Sequence, residues 1–397
     1  MGKADYVIRV SETPSAVSAS EWDALLQLQH HPTPFMRHAY LAALQNSGSA
    51  TPATGWSPHF ITLHDSSGLA AACVLYIKDH SYGEYVFDWA WASAYEQHGL
   101  AYYPKAVIAV PFTPVPGSRL LARDTASREA LIQAIQSLCA ENNVSSAHLL
   151  FGAEDDLQAT TGSGWMQRHT VQFHWHNRPD GYKDFDDFLS GLNQEKRKKI
   201  KQERRKVAQA GVQFRHCTGT DISQEDWEFF YRCYARTYRE HGNPPYLTPD
   251  FFQRMATDMP EHWLMFVAER EGQAIASSLI AIGASNIRAD GTFPPPQRVA
   301  YGRYWGALEP VDCLHFEACY YQPLEWCIAN GYARFEGGAQ GEHKMARALL
   351  PARTSSTHWL QHPAFADAVQ RFLEREGEGI QNYMEHLEQR TPLKKPV

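Results

Sequence analysis

Apolar and polar positions along this chain fall into a pattern that occurs twice. Trp263 to Leu279 (WLMFVAEREGQAIASSL) reads as an apolar strand, a polar turn ending at Gly272, and a second strand. His59 to Leu75 (HFITLHDSSGLAAACVL) reads the same way at an offset of 204 residues, with Gly68 falling on Gly272. Glycine there supplies the positive φ that a tight hairpin turn wants. Ala130 to Asn143 carries Leu131, Ile132, Ile135, Leu138 and Cys139 on one helical stripe, and the strand AHLLFGA follows. In the second half, Ala318 to Gly331 is the matching helix and ARFEGGA the matching strand. Pro323 inside that helix must kink it or mark a new start. Each half then reaches a strand containing His-Trp, at His174-Trp175 and at His358-Trp359.

The front ends match as well. Tyr6–Val10 and Val212–Arg215 are short strands, each followed by two helical segments. These are Glu21–Gln29 with Arg37–Gln45, and Gln224–His241 with Pro249–Asp258. The repeated order predicts an α/β (α+β) fold with mixed sheets, built as tandem duplicated domains. The expected division is residues 1–178, a basic linker helix over 179–211, and residues 212–397.

Composition narrows the function. The 397 residues are 44% hydrophobic and 20% charged, enough for two cores and unlike a disordered chain. A net charge of -7 argues against a general nucleic-acid binder, so no DNA partner is expected. No apolar run is long enough to span a membrane, and MGKADYVIRVSETPS has no apolar core of a signal peptide. Seven cysteines without a Cys-x-x-Cys pair point to a reducing, cytoplasmic setting and away from zinc, and no metal is expected. The pattern carries no signal for an oligomeric state.

Three stretches concentrate candidate chemistry. Glu195–Lys206 (EKRKKIKQERRK) holds eight basic and two acidic residues. Asp184, Asp186 and Asp187 before it suit a helix N-terminus. This helix is either a solvated face or a phosphate-binding arm using Lys196, Arg197, Lys199 and Arg204. Gly337–Arg347 (GGAQGEHKMAR) follows a strand, where open α/β sheets hold ligands. Gly338, Gln340, Gly341 and Lys344 are its candidate donor contacts, and Glu342 and His343 its candidate bases. The matching first-half stretch, FGAEDDLQAT, lacks the His-Lys pair, so the working site is expected in the second half.

Asp79–Gly99 holds Glu84, Tyr85, Asp88 and Trp89 around the strand-like YVFDWAW. A carboxylate inside that apolar run must be solvated, paired or functional, and Arg37 or Arg303 could neutralise Asp88. Tyr301–Glu309 reads as its positional echo, with Arg303, Tyr304 and Trp305 suited to a planar or carboxylate-bearing substrate. Nucleophilic catalysis finds no Gly-x-Ser-x-Gly elbow, and Cys217 beside His216 lies on an expected edge strand.

The strings FMRHAYLAAL, HSYGEYVFDWAWASAYE, YYPKAVIAVPFTPVPGSRLL, VQFHWHN, KRKKIKQERRK, YGRYWGALE, LHFEACYYQ, RFEGGAQGEHKMAR and STHWL run nearly the whole length. In them the chain resembles the FemAB-like family of N-acyltransferases, labelled peptidoglycan biosynthesis or recognition proteins, within the GNAT superfamily. The resemblance implies two GNAT-like domains, the first degenerate, and transfer of an acyl or aminoacyl group to an amine of a small molecule or peptide. No permanently bound cofactor is implied; the donor would be an acyl-coenzyme A or, alternatively, an aminoacyl-tRNA. GNAT enzymes usually bind the coenzyme pyrophosphate with a Q/R-x-x-G-x-G/A loop after the fourth strand. Here that junction reads ALEPVDCLHFEACYY, and Arg334-x-x-Gly337-x-Ala339 fits one strand later. On this reading Glu342 or His343 is the base, Asp88 or Glu84 positions the amine, and Lys344 with the helix cations holds donor phosphates. The rival reading is a binding protein for cell-wall peptide or RNA on an inactive acyltransferase fold.

Overall fold

A computed structural model describes residues 5–283, 297–339 and 341–394. In chain order the first elements are β1 (Val7–Ser11), α1 (Ala19–Gln27), α2 (His38–Asn46), β2 (Ser57–Asp65) and β3 (Gly68–Lys78). Then come α3 (Trp89–Gln97), β4 (Lys105–Ile108), β5 (Leu121–Ala122), α4 (Thr125–Glu141), β6 (Ser146–Leu149) and α5 (Glu154–Thr160). They are followed by β7 (Met166–His176), α6 (Phe185–Ser190), α7 (Gln194–Gln209), β8 (Val212–Thr218), α8 (Gln224–Glu240) and α9 (Pro249–Asp258). The remainder is β9 (Trp263–Arg270), β10 (Gln273–Ile282), β11 (Val299–Ala307), α10 (Leu314–Phe316), α11 (Gln322–Ala329), β12 (Arg334–Glu336), β13 (Leu350–Leu360) and α12 (Pro363–Gln389).

These elements form two compact units. Unit 1 is Met1–Thr170 with Arg353–Asn382, and unit 2 is Val171–Ala352 with Tyr383–Val397. The division therefore does not fall across 178–212. In unit 1 the strand order is β1-β2-β3-β4-β6-β13, with β5 beside β3; in unit 2 it is β8-β9-β10-β11-β12-β7. Each sheet repeats one plan. Four strands pair antiparallel, the fourth and fifth pair parallel, and the sixth returns antiparallel. The sixth strand of unit 1 comes from the chain's end, and that of unit 2 from its middle. The duplicated order is real, while the expected domain limits fail because β7 and β13 each complete the sheet of the other sequence half.

Alternation along the strands decides the two faces. In unit 1, Ala106, Ile108, Ala147 and Leu149 pack on Leu131, Ile132 and Ile135 of α4. Val107 and His148 consequently look away from α4. In unit 2, Ala300, Phe335 and Trp175 join Tyr320, Leu324 and Ile328 in one core, so Tyr301, Glu336 and His174 look away from it.

Three local expectations need correction. YVFDWAW is not a strand: Asp88 precedes the first turn of α3, and Trp91 and Tyr95, one helical turn apart, are its buried residues. Tyr301–Glu309 is no echo of it, since β11 corresponds to β4, whereas α3 lies between β3 and β4. Asp184 caps the short helix α6 by accepting from Asp187 N, while the basic helix α7 is capped by Asn193. Pro323 does mark a new start. A single π-helical turn over Glu317–Tyr321 precedes it, and α11 begins with the proline in its first turn, where a missing N–H costs nothing.

Gly306 shows how tightly unit 2 is closed. A Cβ there would lie 2.0 Å from the carbonyl oxygen of Cys233 on α8, backbone that cannot move aside. Gly306→Ala should therefore lose about 3 kcal/mol of unfolding free energy in urea titration. The control Gly377→Ala, in an α12 position with nothing within 4 Å, should gain about 0.5–1 kcal/mol from helix propensity.

Candidate functional site

In both units the polar interior gathers at the parallel strand pair. In unit 1, Lys105 enters β4 with its amine sealed from water. It donates to Ser81 Oγ at 2.7 Å, Glu84 Oε2 at 2.8 Å and Asp88 Oδ2 at 2.5 Å. Three acceptors around one nitrogen are what an ammonium requires. Tyr102 also donates to Asp88 Oδ2, at 2.6 Å, and its oxygen lies 3.2 Å from His148 Nε2. His148 Nδ1 in turn meets His358 Nδ1 at 2.8 Å. Burial pushes Asp88 up, but the Lys105 charge and hydrogen bond outweigh it and leave the group at about 2. Glu84 is raised to about 7, burial prevailing over Lys105. Burial, helped by Lys105, lowers His148 to about 3, so the histidine pair is neutral. Lys78, lowered to about 7 by burial, sits 3.4 Å above the Trp56 ring.

Asp88 and Glu84 are thus brought together as expected, but their partner is Lys105 rather than Arg37 or Arg303. Tyr85 is half-buried with a left-handed φ of 62°, and Trp89 is exposed beside Tyr82.

In unit 2 the fifth strand is short. β11 pairs with β12 only through Val299–Tyr301, then runs on to Ala307 without it. The pairing of β10 with β11 passes from Leu279↔Tyr304 to Ile280↔Gly302, which makes Arg303 the extra residue of a β-bulge. Beside this notch, at the end of β12, stands Glu336, 2% exposed and paired across the sheet with His174. Arg334 Nη2 lies 3.0 Å from Oε1 and His174 Nε2 3.8 Å from Oε2. Neither carboxylate oxygen receives a hydrogen bond among the described residues. Burial raises Glu336 to about 7 against the pull of Arg334 and Arg303.

Gly337 and Gly338 follow, the latter at φ 87°. Lys344 is buried, donates to Gly338 O at 2.8 Å, and is lowered to about 8 by desolvation. The expected bases lie elsewhere. Glu342 is exposed, accepting from Tyr383 at 2.7 Å and pairing with Arg390 at 3.4 Å. His343 is exposed, with Nε2 3.2 Å from the Tyr320 hydroxyl and its ring near that of Phe316. Gly341, at φ 112°, leaves room for the His343 ring, which a Cβ would meet at 2.4 Å. Gln340 lies outside the described residues. Tyr304 belongs to an aromatic core with Phe230, Tyr234 and Phe252, and Trp305 is half-buried against His315. Glu336 escaped the sequence reading, although an acidic residue ending an apolar strand before Gly-Gly was the available signal.

Helix α7 buries Ile200, Glu203 and Val207 on one side. Arg204 is not available to a ligand, being paired with Glu317 at 3.1 Å and Glu325 at 2.7 Å. Lys196 pairs with Glu195, Lys201 with Asp186 and Lys206 with Asp312. Arg197, Lys198, Lys199 and Arg205 make no ion pair among the described residues. Lys198, Lys201 and Arg205 stand on the side of the helix opposite Ile200 and Val207. A pocket of about 750 Å³ beside the helix is lined by Phe185, Leu189, Arg204, Arg205, Phe214 and Glu317, among others. Among the described residues no three His, Cys, Asp or Glu side chains converge as a metal ion would need, and the seven cysteines are free thiols.

Comparison with known proteins bears on both units together. The FemAB-like family model, described as peptidoglycan biosynthesis/recognition, matches residues 13–395. The structure of FemX is similar at a TM-score of 0.54 and 10% identity, covering 91% of this chain and 100% of that one. L-PGS from Bacillus licheniformis is similar at 0.53 and 10%, covering 91% and 98%. A conserved protein of unknown function from Bacteroides thetaiotaomicron gives 0.53 and 8%, covering 89% and 100%. At these identities the likeness is one of fold. No curated protein sequence matches the chain.

The Lys105 cluster makes a stability prediction. Lys105→Met removes the only cation hydrogen-bonded to Glu84 and Asp88 among the described residues, leaving Lys78 at 3.9 Å from Glu84, and should cost about 3–5 kcal/mol in urea unfolding at neutral pH. Adding Glu84→Gln and Asp88→Asn to Lys105→Met should recover part of that loss.

Proposed function

Since the chain belongs to the FemAB-like family, we propose that unit 2 joins an activated acyl group to an amine, with an aminoacyl-tRNA as donor and a peptidoglycan-type peptide as acceptor. The observation that carries this reading is Glu336, a carboxylate buried where the parallel strands part, ion-paired with Arg334 at 3.0 Å but receiving no hydrogen bond among the described residues. The incoming amine attacks the ester carbonyl, and a C–N bond forms. Glu336 takes a proton from the nitrogen, the ester C–O bond breaks, and the proton returns to the departing ribose oxygen. The Lys344 ammonium, held by Gly338 O, is the donor at hand for the oxyanion. Holding both reactants in one notch supplies much of the acceleration.

Two features favour tRNA over an acyl-coenzyme A. The turn after β11, where GNAT-type enzymes place the coenzyme pyrophosphate, contains Glu309 and Asp312, held by Arg270 and Lys206. A pyrophosphate there would meet two carboxylates and no glycine-rich cradle. The uncompensated cations of α7 suit a phosphodiester backbone. Among the described residues no helix is long and apolar enough to cross a membrane.

Two measurements test this reading. With Glu336 titrating at about 7, the base form accumulates as pH rises, so the single-turnover rate should climb through pH 7 and level off above it. Glu336→Gln should lower that rate by about 10²–10⁴-fold and flatten the profile, while Glu342→Gln stays within a few-fold. Equal rates for all three proteins would remove Glu336 from the chemistry. For the donor, Lys198→Glu/Arg205→Glu should weaken aminoacyl-tRNA binding by about tenfold or more and flatten its salt dependence. A thermal shift with acyl-coenzyme A and none with aminoacyl-tRNA would reverse the donor assignment.

A further inference from the structure

Among the described residues strand β1 is the edge of the unit 1 sheet, pairing with β2 alone in an unbroken register from Val7↔His64 to Ser11↔Phe60. Four consecutive residues, Val7, Ile8, Arg9 and Val10, are exposed. Successive side chains of a strand point to opposite faces, so neither face of β1 is covered. Val7 at 59%, Ile8 at 47% and Val10 at 45% exposure put three large apolar side chains on five residues. Such an edge is a template for another strand, and proteins normally blunt it with lysine, proline or a bulge. β1 has no lysine, proline or bulge, and its one charge, Arg9, makes no ion pair among the described residues. The matching edge of unit 2, β8, is guarded: its Arg215 is tied to Asp226 and to Glu269 at 2.6 Å.

We propose that β1 is the interface for a second copy of this chain, the two β1 strands pairing antiparallel about a two-fold axis through Val7. Charge selects this register. It sets Asp5 of each copy opposite Arg9 of the other, and both side chains are exposed and without an ion pair among the described residues. It also sets Tyr6 opposite Ile8 twice and Val7 opposite Val7, aromatic–aliphatic and β-branched pairs that favour sheet formation. Centring on Arg9 would instead oppose like charges. Opposing Arg9 with Glu12 would leave Val7 and Ile8 outside the pairing. The contact is isologous, so it closes at two copies and does not propagate.

Sedimentation velocity of the full chain from 1 to 100 µM tests the proposal, with circular dichroism and thermal melting to verify the fold of each variant. The wild type should show a concentration-dependent dimer. Ile8→Lys should raise the dissociation constant by about tenfold or more. Asp5→Arg and Arg9→Asp should each do the same by placing like charges opposite one another. The double variant Asp5→Arg/Arg9→Asp restores the complementary pair and should restore the dimer. A wild type that stays monomeric throughout overturns the proposal. So does a dimer indifferent to Ile8→Lys, or a double variant no better than either single change.

Discussion

One buried ammonium organises unit 1. Lys105 arrives on a central strand, yet all three of its acceptors come from the segment before it, at Ser81, Glu84 and Asp88. That segment exposes Tyr82, Phe87 and Trp89, and besides the lysine it is held by Val86 packed on Val107 and by single hydrogen bonds at Tyr82, Gly83 and Phe87. The ion cluster fastens it to β4, and Tyr102 extends the bonding through His148 to His358, which reaches β6 and β13. Such a network is expensive to bury and ruinous to break. What it contributes is less net stability than the selection of one arrangement from many.

Unit 2 shows the same position without that solution. His148 opposite His358 in one sheet occupies the place of Glu336 opposite His174 in the other. In unit 1 the chain's own lysine bonds one oxygen of each nearby carboxylate, leaving Glu84 Oε1 and Asp88 Oδ1 without a hydrogen bond among the described residues, and the histidines are neutral. In unit 2, Glu336 keeps two oxygens without a hydrogen bond among the described residues, and its proton affinity is set near neutrality. Two copies of one scaffold thus differ in whether a buried lysine hydrogen-bonds the carboxylates beside the parallel strands. An unsatisfied buried carboxylate is the kind of local cost that folds retain for chemistry.

Much of this was legible in the residues. Both hairpins, the order of helices and strands, and the new helix start at Pro323 follow from period, turn glycines and a missing N–H. The places that resisted are instructive. YVFDWAW has the aromatic content of a strand, and only tertiary packing of Trp91 and Tyr95 decides for a helix. Glu342 and His343 drew attention because they cluster in the sequence, but side chains adjacent along a loop diverge, and Glu342 leans on Tyr383. Lys105 is a single charge in an apolar strand and carries no motif, and Glu336 has only the Gly-Gly after it as a signal. Their meaning depends on what lies across the sheet. The two His-Trp strands are alike, so nothing local says which sheet each one completes.

That last ambiguity has a consequence for how the chain is made. When a ribosome has finished β6, the strand that must lie beside it, β13, lies some two hundred residues ahead. At typical synthesis rates this is a wait on the order of 10–40 s. During it, the fifth strand of unit 1 has one edge without its final partner, and β7, which carries the same His-Trp pair, emerges first. Neither half of the gene encodes a complete sheet. The duplication has been interlaced so that the ancestral modules can no longer be separated by a single cut, and folding must be settled late, at the level of the whole chain.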